Sequence, residues 1–328
     1  MKKQVFLGSL ALAVMVCSGV STANADSSRV LRLSTDHTHD FVTTVALREF
    51  ADDVAKRTNN RIKIEVFDGG QLGDEKACLE QVQFGAIDMT KNSLAPLAEF
   101  VPDMNALNLP YLFRDVDHMW KTLDSKIGDE FMKKLEDMNM YGIAWLDAGS
   151  RCFYSVDPLT GPEGIKGKKV RVQESKIMLH MVESLGGLPV AMPASDVYSS
   201  LQTGVVQVAE NNVPRFLDMS HNEIAKNLIL DRHNILPEAL LISKITMDSL
   251  DPADQQIIRD AAKDLQKAMI KKWADNENAI LKKLEGMGVT VVVPDANTIA
   301  EFRKQCQPVY DVEGQPYQDI VQEIENIK

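Results

Sequence analysis

Strand and helix patterns alternate over the first quarter of this chain, and this rhythm limits the possible folds more than any other feature. Apolar and polar side chains alternate over residues 29–34 and again over 62–66, which predicts two strands. Asp40 can cap a helix that follows it, and a second helix is predicted from Asp74 to about residue 84. Residues 86–89 indicate a short buried strand. The order β-α-β-α-β predicts an α/β sheet covered by helices.

The longest helical pattern covers residues 252–287, where neither glycine nor proline interrupts the chain between Pro252 and Gly286. A continuous helix of this length would extend about 50 Å, longer than one small domain, and could cross between two lobes. Two helices with a kink near Asn276 fit the pattern equally well. The 328 residues suffice for two domains. Because no change in composition marks a boundary, we expect a domain pair between which the chain crosses several times.

The first 25 residues have the three parts of a secretory signal. Lys2 and Lys3 precede an apolar run over residues 5–17, and Ala-Asn-Ala at residues 23–25 follows. This pattern predicts cleavage after Ala25 and export of the remaining chain. A retained membrane anchor is the less favoured alternative, because the apolar run is short for a bilayer span. Cys17 raises a lipoprotein alternative, but Val16 stands before it where a small residue is expected.

The charge balance argues against nucleic acid as a partner. Lys and Arg number 36 and Asp and Glu number 47, so the formal net charge is −11. Such an acidic surface repels phosphate backbones, and aromatic residues, at 6%, offer few stacking platforms for bases. A local basic pocket for a small anion remains compatible with this balance.

Sequence motifs for catalysis or for a cofactor are missing. The chain has no G-x-S-x-G, P-loop, H-E-x-x-H or G-x-G-x-x-G motif, so neither an enzyme nor a bound cofactor or metal is predicted. His37 and His39 are interpreted as part of a polar loop. After the signal, Cys78, Cys152 and Cys306 remain. They predict either one disulfide with one thiol or, as slightly favoured, three buried thiols.

Two arginines stand in apolar strand contexts. Arg171 lies between Val170 and Val172, and Arg151 precedes an aromatic pair. Arginine binds a carboxylate through a planar two-donor fork and stays charged when it is desolvated. Each arginine taken alone is more often part of a structural salt bridge. Asn211, at the end of a predicted strand, adds amide donors or a capping turn.

Six short segments along the exported chain occur in the order and spacing of one family. They are residues 70–75 (GQLGDE), 85–89 (GAIDM), 109–115 (LPYLFRD), 165–172 (IKGKKVRV), 196–204 (DVYSSLQTG) and 209–212 (AENN). The chain resembles the solute-binding proteins of tripartite ATP-independent periplasmic (TRAP) transporters. This resemblance implies two α/β lobes hinged around a cleft, with a long helix spanning both. The lobes are predicted at residues 26–148 with 237–276 and at 149–236 with 277–328.

The resemblance also implies a binding site for an organic acid. Arg171 is expected to pair with the ligand carboxylate, and Arg151 to support or contact the same group. Asn211 would contribute an amide, and Glu75 would meet ligand hydroxyls. Further hydroxyl partners are expected at Glu238, Lys91 and His37.

The pattern around these residues favours hexuronates. Lys91-Asn92-Ser93 stands where sialic-acid binders carry a glutamate, whereas the Asn211-Asn212 doublet and residues 149–151 resemble the members that bind hexuronates. The predicted function is a periplasmic receptor that delivers a uronate to membrane permease subunits. Receptors for a C4-dicarboxylate, a keto acid or an aromatic acid are alternatives, and a secreted enzyme acting on acidic sugars is the competing class.

Overall fold

The computed structural model of the protein describes residues 28–328, so the predicted signal segment and its cleavage after Ala25 lie outside the described residues. Eleven strands and thirteen α-helices form within this range. The strands are β1 (Arg29–Ser34), β2 (Ile62–Phe67), β3 (Met89–Ser93), β4 (Met140–Leu146), β5 (Ser150–Ser155), β6 (Lys169–Val172), β7 (Leu188–Ala191), β8 (Val208–Asn212), β9 (Asn227–Ile235), β10 (Glu238–Ser243) and β11 (Thr290–Val292).

Helices separate most of these strands. They are α1 (Val42–Arg57), α2 (Glu75–Gln83), α3 (Leu94–Phe100), α4 (Val116–Leu123), α5 (Lys126–Lys134), α6 (Lys176–Ser184), α7 (Val197–Gln202), α8 (Val213–Asp218), α9 (Lys244–Asp248), α10 (Pro252–Glu285), α11 (Ala296–Gln305), α12 (Gln307–Val312) and α13 (Gln318–Glu325).

The strands form two mixed sheets, which we call the first and the second sheet. The first has the order β2-β1-β3-β10-β4, and the second has the order β11-β9-β5-β8-β6-β7. In the first sheet β1 runs parallel to β2 and β3, while β10 returns from late in the chain and pairs antiparallel with β3 and β4. The return of β10 explains why no single linker in the sequence separates the two halves.

Two short connections join the sheets. Residues 147–149 lead from β4 to β5, and residues 236–237 lead from β9 to β10. Gly149 has φ +62°, and a Cβ atom at this position would lie 2.3 Å from Nε1 of Trp273 on α10. The close approach of the long helix therefore requires glycine in this connection.

The long helix α10 is continuous over 34 residues, so the alternative of two helices that meet near Asn276 is wrong. Ile258, Leu265 and Trp273 are buried in the core that covers the first sheet, whereas Leu284 is buried in a core against the second sheet. At 1.5 Å per residue the helix is about 50 Å long and reaches both sheets. The predicted fold, two α/β lobes around a cleft with a helix spanning both, is confirmed.

Two local predictions are wrong. Helix α1 is preceded by Phe41 as its N-cap residue, and no side chain, including that of Asp40, caps it. Strand β3 begins rather than ends at Met89, because residues 84–88 form a turn that the Asp88 carboxylate fixes by accepting hydrogen bonds from the Arg32 amide and the Thr246 hydroxyl. The strand therefore contains residues 90–93, which are polar and give no apolar strand pattern in the sequence.

The three cysteines in the described chain, Cys78, Cys152 and Cys306, are free and buried, as the favoured alternative predicted. Among residues 28–328, no helix combines the length and apolar character needed to cross a membrane.

Candidate functional site

A cavity of about 340 Å³ lies in the cleft between the two sheets. One wall comes from the loops after β1 and β2 and from the start of α2, and the other comes from β6, the loop after β7 and α8. This volume is within the range of small-molecule sites. Its polar lining residues include Asp36, Thr38, Asp74, Glu75, Arg171, Gln173, Glu174, Ser195 and Arg215.

A second cavity of about 20 Å³ shares lining residues with the first, among them Glu75 and Arg171. Within the described chain, four buried polar atoms of its lining residues have no hydrogen-bond partner: Nη1 of Arg171, Nδ1 of His37, Oε1 of Gln173 and Oε2 of Glu238. Buried polar groups are normally paired, since an unpaired group loses its water without compensation. Donors and acceptors left unpaired around one cavity indicate a site made for a polar ligand.

Arg171 presents an unpaired edge to this site. Its position on β6 buries the side chain, which is only 1% exposed. Nε and Nη2 both donate to the Met192 carbonyl, at 3.1 and 2.8 Å, which fixes the plane of the guanidinium. Nη1 has no hydrogen bond and lies 3.8 Å from Oε1 of Glu210. Burial lowers the pKa of Arg171, but guanidinium groups stay charged in proteins. The side chain is therefore a fixed cation with a donor left for an anion.

Arg151 is engaged by its own sheet. Antiparallel pairing of β5 with β8 brings it beside Glu210, whose carboxylate accepts from Nε and Nη2, the latter at 2.9 Å. Nη1 of Arg151 donates to Oδ1 of Asn211 at 3.2 Å. Burial opposes the charge of Glu210, but Arg151 outweighs it and lowers the pKa to about 2. The pair is thus ionised and largely self-neutralised, and Arg151 orients Asn211 at the cavity.

Lys91 lies behind the opposite wall. Its ammonium contacts Oδ1 of Asp36 at 2.8 Å, Oε1 of Glu238 at 3.0 Å, Nε2 of His37 at 3.2 Å and Oε1 of Glu75 at 3.4 Å, and its side chain has no exposed surface. Burial opposes this charge, but the three carboxylates outweigh it and raise the pKa of Lys91. Nε2 of His37 also lies 3.3 Å from Oε1 of Glu238, whereas Nδ1 has no hydrogen-bond partner in the described chain.

The three carboxyl groups around Lys91 differ in their electrostatics. Burial opposes ionisation of all three, yet Lys91 and its neighbours hold the pKa of Asp36 well below its ordinary value and lower that of Glu238 to about 2. Burial and the nearby charge of Asp36 instead raise the pKa of Glu75. Oε1 of Glu75 accepts from the Ser93 amide at 2.7 Å. Glu75 is therefore the carboxyl group of this cluster whose charge the empty protein tolerates least.

Asp36 also connects the two walls of the cleft. Arg215, on α8, donates from Nη2 to both Oδ2 and the carbonyl of Asp36 at 3.0 Å, and from Nη1 to Oδ2 of Asp218 at 2.6 Å. The Thr38 hydroxyl donates to the same Asp218 carboxylate. These contacts run from the loop after β1 to α8, so they hold the cleft in the arrangement described here.

The seven residues singled out by the sequence meet at this cleft. Arg171, Arg151, Asn211, Glu75, Glu238 and His37 line its cavities, whereas Lys91 lies beneath them and lines neither. Their contacts with a ligand stay a prediction. Sequence reasoning missed Asp36 and Arg215; a charged residue at the end of a strand and another in an apolar helical turn were the available signals. Glu210, within a motif used for the resemblance, was not assigned its role as the partner of Arg151.

The fold and the cleft define a solute-binding receptor with two lobes around a polar, charged site. Comparison with known proteins gives the family. Residues 33–315 match DctP, described as bacterial extracellular solute-binding protein, family 7. A solute-binding protein of Chromohalobacter salexigens is 34% identical over 292 residues, which are 89% of this chain and 85% of that protein.

Solved structures agree. A TRAP periplasmic solute-binding protein from Pseudomonas putida F1 with bound D-glucuronate has a TM-score of 0.89 at 34% identity, covering 92% of this chain and 98% of that chain. One from Xanthobacter autotrophicus Py2 with bound β-D-galacturonate has a TM-score of 0.87 at 37% identity, covering 91% and 100%. The chain belongs to the family 7 extracellular solute-binding proteins, the receptors of TRAP transporters. Members of this family are periplasmic binding proteins that work with membrane permeases.

Proposed function

We propose that this receptor captures a hexuronate, such as D-glucuronate or D-galacturonate, in the periplasm and delivers it to the membrane permease of its transporter. The observation that carries the proposal is the unpaired Nη1 of the buried Arg171, a residue that lines a cavity whose far wall carries hydrogen-bonding groups for hydroxyls. The bound D-glucuronate and β-D-galacturonate in two similar structures support the same ligand class.

Each residue contacts the ligand group that matches its chemistry. Arg171 takes the carboxylate, and Asn211, oriented by Arg151, adds an amide contact. Glu75, Glu238 and His37 take the hydroxyls, since a carboxylate accepts from a hydroxyl and Nδ1 of His37 has no partner within the described chain. Lys91 acts indirectly, because it holds Asp36, Glu75 and Glu238 in position. Closure of the lobes excludes water and strengthens the pair between Arg171 and the ligand carboxylate.

Export and the lack of turnover are part of the proposal. Cleavage after Ala25 would leave Asp26 as the first residue in the periplasm, and N-terminal sequencing that finds Met1 on the exported protein would overturn this. A receptor releases its ligand unchanged, whereas an enzyme acting on acidic sugars alters the ligand mass.

Calorimetric titration of the exported protein tests the ligand class. The protein is first unfolded and refolded to remove any co-purified ligand, then titrated with D-glucuronate, D-galacturonate, D-galactose and succinate. We expect tight binding of at least one uronate and none of the neutral sugar, with unchanged uronate mass after overnight incubation. Binding of succinate in preference to both uronates, or a changed mass, would contradict the proposal.

A further inference from the structure

The buried charged groups on the two walls of the cleft differ in sign. On the wall of the second sheet, Arg171 has no carboxylate within 3.5 Å in the described chain, and Arg151 is neutralised by Glu210. Arg171 is therefore a buried cation on this wall that one ligand carboxylate can balance. Burial of an unpaired charge is costly, so a buried ligand anion needs one buried cation beside it.

The wall of the first sheet is acidic. Asp36, Glu75 and Glu238 surround Lys91, and this group of three carboxyls is here called the acidic cluster. Arg215 reaches this cluster from α8 on the opposite wall, but Asp36 and Asp218 already accept from it, so it neutralises no further carboxylate. The acidic cluster thus retains net negative charge and offers mainly hydrogen-bond acceptors.

Within the acidic cluster, Glu75 is the residue best placed to meet a ligand. Asp36 lines both cavities with 16% of its side chain exposed, but Lys91 and Arg215 already donate to its two oxygens. Glu75 lines both cavities with the same exposed fraction, against 3% for Glu238. Its Oε1 is held by the Ser93 amide and lies 3.4 Å from Lys91, while Oε2 has no hydrogen bond to any residue of the described chain. A hydroxyl can donate to this oxygen, whereas a carboxylate would face it with like charge.

We infer that the cleft accepts an acidic sugar with one carboxylate and excludes one with a second carboxylate at the opposite end, and that Glu75 is the main determinant of this choice. The inference rests on the proposed function, because it takes Arg171 as the partner of the first carboxylate. Sugar acids with one carboxylate, the uronates and aldonates, are therefore ligands. Aldarates, which carry a carboxylate at each end, are not.

Galactonate and galactarate test the inference as a matched pair, because both are open-chain six-carbon acids with the same hydroxyl configuration. They differ at one end, where galactonate has a hydroxymethyl group and galactarate a second carboxylate. Each is titrated at pH 7.5, directly and by displacement of D-galacturonate. We expect galactonate to bind at least about 30-fold more tightly than galactarate, a difference in binding free energy of about 2 kcal/mol.

The Glu75→Gln variant assigns the effect to this residue. The amide of glutamine keeps the side-chain shape and removes the charge. The ratio of the affinity for galactonate to that for galactarate should therefore fall by about fivefold or more. Glu65→Gln is the matched control. Glu65 is exposed on β2 and lines neither cavity, so this substitution removes the same charge away from the site. The control should keep the preference of the wild type.

The outcomes separate the inference from the proposed function. Equal or tighter binding of galactarate by the wild type overturns the inference, while D-galacturonate binding in the same series leaves the proposed function intact. An unchanged preference in Glu75→Gln, or a failure of that variant to bind either open-chain acid, overturns the assignment to Glu75. If the wild type binds no uronate at all, the proposed function itself fails.

Discussion

Glu75, a proposed binding residue, carries a charge that should reduce the stability of the ligand-free protein. Burial and the charge of Asp36 raise its pKa above the ordinary glutamate value of 4.5. An acid with a raised folded-state pKa costs no stability where it is protonated in both states, and the cost appears as the pH rises through the folded-state value. Glu75→Gln should therefore raise the free energy of unfolding of the empty protein at pH 8.

The pH dependence distinguishes this electrostatic cause from a change in packing. The stability advantage of Glu75→Gln over wild type should shrink as the pH falls toward 4.5, where the carboxyl gains its proton in both states. Urea unfolding of the ligand-free proteins at pH 8 and pH 4.5 measures it, with Glu65→Gln as the control. A variant less stable than wild type at pH 8 would contradict the assigned electrostatics.

At the residue scale, the sequence indicated which residues lie at the cleft better than it indicated which residues they contact. Arg171 and Arg151 stood out because guanidinium groups are unusual in apolar strands, and the structure buries both at the cleft. Their different states could not be predicted: Arg151 is paired with Glu210 only because β5 lies beside β8. Asp36 and Arg215 come from distant parts of the chain, so their contact depends on the tertiary fold.

The pairing of β5 with β8 makes Arg151 primarily a positioning residue. Arg151→Met would leave Glu210, which has no exposed surface, without its main partner and should cost about 3–5 kcal/mol of stability. The unpaired Glu210 would then compete with the ligand for Nη1 of Arg171, which lies 3.8 Å from its Oε1. Ligand affinity should therefore fall although Arg171 is intact.

A second substitution tests this explanation. Arg151→Met combined with Glu210→Gln removes the stranded charge, so it should recover most of the stability and part of the affinity lost in the single variant. Urea unfolding and calorimetric titration with D-galacturonate provide the two readouts. Equal affinity loss in the single and double variants would mean that Arg151 itself contacts the ligand.

Element prediction succeeded where periodicity and burial agree. Strands β1 and β2 alternate clearly, and Asp74 caps α2 by accepting from the Ala77 amide, as its position suggested. Strand β3 was misplaced because its residues 90–92 are polar yet buried. Burial of polar residues in a central strand is favourable here because the site supplies their partners, and this context is not encoded in local periodicity.

At the scale of the whole molecule, contacts join the two walls of the cleft. Arg215 and Asp218 on α8 bind Asp36 and Thr38 in the loop after β1, so these contacts join the two walls of the cleft. We expect a saturating uronate to reduce the radius of gyration in solution scattering. Identical profiles with and without ligand would contradict closure.

Asp218→Asn tests whether these contacts stabilise the closed form. Loss of the charged acceptor should weaken closure by about 1 kcal/mol and speed ligand release by about fivefold. Stopped-flow displacement of D-galacturonate measures the release rate. Asp157→Asn is the control, because Asp157 pairs at the surface with Lys168 away from the cleft. Equal release rates in the two variants would contradict a role for Asp218 in closure.

The long-range organisation was predictable from family motifs, which follow in order between residues 70 and 212. Residue patterns alone left the continuity of α10 undecided, because its kink or straightness depends on packing against both sheets. The predicted lobe bounds, residues 26–148 with 237–276 and 149–236 with 277–328, stay a prediction. Limited proteolysis of the exported protein would test them.

Calorimetric titration of Arg171→Ala with D-galacturonate, beside the wild type, tests the central claim most directly. If Nη1 of Arg171 pairs with the ligand carboxylate in a desolvated site, its loss should cost about 2–5 kcal/mol, or about 30-fold to several thousand-fold in affinity. Arg171→Lys should recover only part of this, because an ammonium lacks the planar fork. Arg29→Ala, on the same protein but away from the cleft, should bind normally. An Arg171→Ala protein that folds normally and binds within a few-fold of wild type would contradict the account.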